Sequence, residues 1–127
     1  MHTILYVEDN LDNIDLMEEI INRIDNAKLL TALDAEKGYE LAKKEKPDLI
    51  LMDINLPGMD GLEALKELQA TMATRDIPVI AITARVMNED VRAGVEAGFT
   101  DYVTKPLNVL ELVQTINATL KSYSSFI

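Results

Sequence analysis

Glu8, Asp9 and Asp53 are the residues of this 127-residue sequence whose types and positions first suggest chemistry. Each closes an apolar run. Thr3-Ile4-Leu5-Tyr6-Val7 leads into Glu8-Asp9, and Asp48-Leu49-Ile50-Leu51-Met52 leads into Asp53, ahead of a turn marked by Pro57, Gly58 and Gly61. Such runs read as buried strands, and open α/β sheets place their ligand crevices at the carboxyl ends of strands. With the two strands as neighbours, three carboxylates converge, and their mutual repulsion makes a divalent cation the expected companion. Two further runs end in polar groups. Val79-Ile80-Ala81-Ile82 finishes at Thr83, and a last short run leads through Thr104 to Lys105-Pro106. A single strand-end aspartate is usually a turn or cap residue. Five polar groups aimed at one crevice reverse that reading.

The elements that must position these groups alternate along almost the whole chain, apolar strand-like runs with amphipathic helical segments, which is the βαβ pattern of a parallel sheet. Strands are expected at Thr3 to Val7, Lys28 to Leu33, Asp48 to Met52, Val79 to Thr83 and Asp101 to Val103. Leu11, Ile14, Met17, Ile20, Ile21 and Ile24 form a helical stripe that faces the sheet. Asp34 is an expected N-cap for a second helix carrying Gly38, Leu41 and Ala42, which Pro47 brings to an end. Leu62, Leu65 and Leu68 mark a third helix. A fourth helical segment, between Asn88 and Gly98, has little apolar face beyond Val91 and Val95 and contains Gly94. The last helix opens with Asn108 as N-cap and Glu111 three residues on, then carries Val109, Leu112, Val113, Ile116 and Leu120 on one face. Residues 1–127 thus read as one domain, large enough to bury roughly two thirds of its extended-chain surface.

Composition narrows the function. Twelve basic against 22 acidic residues give a net charge of −10, which argues against direct nucleic-acid binding and against attraction to an anionic membrane. The sequence has no cysteine, so disulfides, zinc-thiolate sites and thiol nucleophiles are excluded, and a cytoplasmic setting fits. No signal segment or membrane-spanning run is present, and no Gly-rich phosphate loop points to ATP binding. The sole histidine, His2, lies at the extreme N-terminus and reads as an exposed residue.

At these residues the chain resembles the receiver domain of two-component response regulators, over essentially its whole length. The resemblance implies a doubly wound five-stranded parallel sheet in the flavodoxin-like order 2-1-3-4-5, with helices on both faces. It implies that Asp53 accepts a phosphoryl group from a phosphohistidine of a histidine kinase or a histidine phosphotransfer protein. Glu8 and Asp9 stand at the family's acidic pair, Thr83 at its hydroxyl position, Lys105-Pro106 at its lysine-proline pair with a cis peptide, and Tyr102 at its switch aromatic, with Phe99 near enough to share that role. Magnesium is the implied metal, with manganese as the alternative. Its implied ligands are Asp9, Asp53 and the backbone carbonyl of Asn55, and Glu8 acts through water because it is longer than the aspartate many members carry there. Asn55 and Arg85 are expected to influence phosphoryl lifetime. A downstream protein target is expected on the face made by the fourth helical segment, the fifth strand and the last helix. The domain is then no conventional enzyme, although it assists its own phosphorylation and dephosphorylation. Two other classes fit less well. A hydrolase with an aspartyl-phosphate intermediate would carry its Asp-x-Asp near the first strand, and in an FMN carrier the acidic Asn10-Leu11-Asp12-Asn13 would repel the phosphate.

Overall fold

The computed structural model describes residues 1–54, 61–83 and 98–124. Along these segments run β1 (His2–Val7), α1 (Leu11–Asn22), β2 (Ala27–Ala32), α2 (Ala35–Glu45), β3 (Leu49–Asp53), α3 (Gly61–Ala70), β4 (Val79–Thr83), β5 (Asp101–Thr104) and α4 (Val109–Ser124). The expected fourth helical segment, with Val91, Gly94 and Val95, lies outside the described residues, as do Asn55 and Arg85. Five parallel strands form one sheet in the order β2-β1-β3-β4-β5, as expected.

The central strands β3 and β4 are buried at every residue, which is why they read as unbroken apolar runs rather than as alternations. Their side chains still alternate between two faces. Leu5, Val7, Ile50, Met52, Val79 and Ala81 pack with Ala35, Ala42, Ala64, Leu65 and Leu68 from α2 and α3. Ile4, Tyr6, Leu49, Leu51, Ile80, Ile82 and Val103 pack with Ile14, Met17, Ile20, Leu112 and Ile116 from α1 and α4. Each fully buried aliphatic side chain contributes about 1.5 to 3 kcal/mol over its exposed state.

Local signals set the helix limits. Asp34 caps α2 by accepting from the Lys37 N–H at 2.7 Å, and Asn108 caps α4 by accepting from the Glu111 N–H at 2.9 Å. Helix α2 ends at Lys46 in a left-handed conformation (φ 48°), because the residue before Pro47 is disfavoured in the helical region. Gly38 allows α2 to approach β1, since a Cβ there would stand 2.7 Å from Val7 Cγ2. Two expectations shift. Leu11, expected in the buried stripe of α1, is 68% exposed because it is the first helical residue and lies ahead of the packed face. Leu33, expected in β2, lies just beyond that strand and is exposed.

Candidate functional site

The register of the sheet carries the strand-end groups to one place. Val7 pairs with Met52, so Glu8 and Asp53 follow side by side, and Asp53 itself pairs with Ile82. Thr83 pairs with Thr104, the last residue of β5, and the Lys105 N–H donates to the Thr83 carbonyl at 2.7 Å. Period-two alternation puts Glu8 on the face of Tyr6, Asp53 on that of Leu51, and Lys105 on that of Val103. All three fall on the α1–α4 side. There the Lys105 ammonium lies 2.8 Å from Glu8 Oε1 and 2.8 Å from Asp53 Oδ2. The Lys105-Pro106 peptide is cis.

This is a buried ion cluster. Glu8 is 0% exposed and Asp53 4%. Burial alone pushes the Glu8 carboxyl up. Hydrogen bonding with Asp53, Lys105 and Asn13, together with the Lys105 charge, outweighs it and holds Glu8 below its ordinary range. Burial likewise works against the Lys105 charge, but its hydrogen bonds and proximity to Asp53 and Glu8 raise it above its ordinary range. One cation between two buried acids offsets part of the cost of burying their charge, where a single buried acid would favour its neutral form.

The remaining expected residues take distinct positions. Asp9 is exposed, and its N–H donates to Glu8 Oε2 at 3.1 Å. Glu8 and Asp53 thus meet through Lys105, while among the described residues no group of three or more acidic or histidine side chains is gathered as a metal cluster. Thr83 is buried at the end of β4, in alternation with Ala81, so it belongs to the α2–α3 side of the sheet. Tyr102 is half-buried and packs against that same cluster, which also contains buried Phe99. The charged groups and the Thr83–Tyr102 pair therefore lie on opposite faces of the sheet.

Two polar residues at the site escaped the sequence reading. The Tyr6 hydroxyl donates to Glu8 Oε1 at 3.2 Å, and the Asn13 amide donates to the same oxygen at 2.7 Å. Burial, followed by the Glu8 charge, pushes the Tyr6 hydroxyl far above its ordinary range, so it stays a donor. The signal was present: Tyr6 carries a hydroxyl within an otherwise aliphatic stretch, two residues before an acid and therefore on its face.

A doubly wound parallel sheet with a lysine drawn between two buried acids at its carboxyl edge defines the structural class. Residues 4–117 match the model of the response regulator receiver domain, and the chain belongs to that family. It is 36% identical over 120 residues to PilH of Pseudomonas aeruginosa, covering 94% of this chain and 98% of PilH. It is 37% identical over 118 residues to the polar-differentiation response regulator DivK of Brucella anthropi, covering 93% and 95% of the two chains. Against the transcriptional regulatory protein PrrA of Mycobacterium tuberculosis it is 34% identical over 122 residues, and the match spans 96% of this chain but 51% of PrrA. Among solved structures, the receiver domain of sensor histidine kinase PA1611 from Pseudomonas aeruginosa, which holds a magnesium ion in its active-site cleft, superposes with a TM-score of 0.85. That pair is 31% identical, covering 94% of this chain and 98% of the other. The chain is therefore a signalling module of two-component signal transduction.

Proposed function

We propose that Asp53 is the phosphoacceptor, taking a phosphoryl group from a phosphohistidine of a histidine kinase or histidine phosphotransfer protein. An Asp53 carboxylate oxygen forms the new O–P bond as the N–P bond to the partner's imidazole breaks, and that bond's electron pair returns to the imidazole nitrogen. Lys105 supplies a fixed cation to a phosphoryl oxygen as a charge-assisted donor, and the Thr83 hydroxyl donates to another. The observation that carries this reading is the Lys105 ammonium at 2.8 Å from both buried acids.

The donor set suits magnesium, with manganese as the alternative. Asp9 and Asp53 offer hard carboxylate oxygens at adjacent strand ends, the backbone carbonyl of Asn55 would be a third ligand, and Glu8 would act through water. When bound, the metal supplies positive charge against the charge gathering on the phosphoryl oxygens. Phosphorylation adds about −1.5 to −2 charge. Thr83 drawn toward it leaves room for Tyr102 to turn inward, which changes the surface around β5 and α4, where a downstream protein binds. The whole of 1–127 acts as one domain, a switch rather than an enzyme with its own substrate, in the cytoplasm and away from membranes. Its net charge of −10 supports protein rather than nucleic-acid partners.

The test is intact-mass analysis after incubation with magnesium and acetyl phosphate. One added phosphoryl group is expected, absent in Asp53→Asn. An unmodified wild type, or a modification that persists in Asp53→Asn, overturns the assignment.

A further inference from the structure

Glu8 has more partners than a simple counter-ion needs. Its Oε1 accepts from the Tyr6 hydroxyl, the Asn13 amide and the Lys105 ammonium, and its Oε2 accepts from the Asp9 N–H. These four bonds fix the carboxylate in a site from which water is excluded, since Glu8 is 0% exposed. The Asn13 end of the network continues into α1. Asn10 caps that helix by accepting from the Asn13 N–H at 3.1 Å, while the Asn13 side chain reaches back 2.7 Å to Glu8. One residue thus joins the first turn of α1 to the carboxylate that holds Lys105. Nζ of Lys105 sits at the end of a flexible four-carbon stem, so its place beside Asp53 depends on where Glu8 holds it.

We propose that Asn13, assisted by Tyr6, is a positioning residue that acts through Glu8 to set the Lys105 ammonium against Asp53, tying α1 to the reactive site. Each donates to the one carboxylate oxygen of Glu8 that Lys105 also uses. Removing either donor leaves a buried carboxylate short of a bond, and the carboxylate then shifts or draws in water, taking Lys105 with it. The functional consequence rests on the reading of Asp53 as phosphoacceptor, whereas the structural claim concerns Lys105 alone.

The two are tested separately. The first measurement is proton–nitrogen NMR of the Lys105 ammonium in labelled protein, without metal or phosphodonor. A slowly exchanging ammonium signal is expected in the wild type. Its exchange should accelerate about tenfold in Asn13→Leu, which keeps bulk but cannot donate, and by less in Tyr6→Phe, which keeps the ring in the core. Backbone amide spectra establish that each variant is folded, and Tyr6→Phe decides the matter if Asn13→Leu is not. No slow signal in the wild type, or the same exchange in the folded variants, overturns the proposal. The second measurement is the rate of phosphorylation by phosphoramidate with magnesium. Asn13→Leu should slow it about tenfold when Lys105 is present and leave the slower Lys105→Ala protein little changed. Equal losses in both backgrounds would mean that Asn13 does not act through Lys105. Absence of any label on wild-type Asp53 would instead count against the phosphoacceptor reading and leave the NMR result standing.

Discussion

The strand β3 has an aspartate at each end, and the two are used in opposite ways. At the amino edge, just before the strand, Asp48 is exposed and accepts from the Thr3 N–H at 2.7 Å, while its own N–H donates to the Thr3 carbonyl at 2.8 Å. It completes the backbone ladder where β1 begins. At the carboxyl edge Asp53 is buried and bonded to Lys105 beside a second buried acid. The same side chain is a cap in water at one end and, at the other, the proposed phosphoacceptor in a low-dielectric crevice, where charge interactions are several-fold stronger. Location on the sheet, more than residue type, separates the exposed capping acid from the buried, ion-paired one.

The contrast is broken most severely at its cation. Lys105→Met leaves Glu8 and Asp53 buried without their shared counter-charge, and unfolding free energy at neutral pH should fall by about 2 to 4 kcal/mol, measured by denaturant titration. The pH dependence follows from the sign of each shift. Glu8 is lowered below its ordinary 4.5 in the folded state, so its contribution is present above that pH and lost as the pH falls through the folded value. Lys105 is raised above its ordinary 10.5, so its contribution is present below that pH and lost as the pH climbs through the folded value. The cost of Lys105→Met should therefore be full at neutrality and shrink toward and below pH 4.5.

Within the carboxyl edge, Asp9→Ala should weaken magnesium binding by about tenfold or more, by titration calorimetry. Glu8→Gln should weaken it less, since Glu8 is already occupied by four hydrogen bonds within the protein. Equal losses would remove the distinction between the exposed and the buried acid. At the amino edge, Asp48→Asn should cost only about 0.5 kcal/mol in stability and leave phosphorylation unchanged. A loss of phosphorylation there would erase the difference between the two ends of β3.

Much of this was legible from sequence because the fold is written in burial. Unbroken apolar runs mark the central strands, and polar residues at or just past the ends of these runs, Glu8, Asp53 and Lys105, meet at the carboxyl edge, while Thr83 closes its run on the other face. The order 2-1-3-4-5 came with the family resemblance rather than from the runs themselves, since apolarity does not specify which strands are neighbours. Where the reading failed, a residue's role depended on something outside its own run. Leu11 has the type and spacing of a core residue but precedes the face that packs. Tyr6 passes for a core aromatic until Glu8 is seen to share its face, and Asn13 passes for a helix-surface residue until the first turn of α1 is docked beside β1. Hydrogen bonds across elements leave no periodic trace in a sequence.

The central claim is that the reactive aspartate is the one held by Lys105 at the carboxyl end of β3. Borohydride reduction of the phosphorylated protein, followed by peptide mass spectrometry, locates the acyl phosphate directly. Reduction confined to the peptide containing Asp53, and dependent on magnesium, is the predicted result. Reduction at Asp9 or Asp48, or a phosphorylated protein with no reducible aspartate, would contradict it.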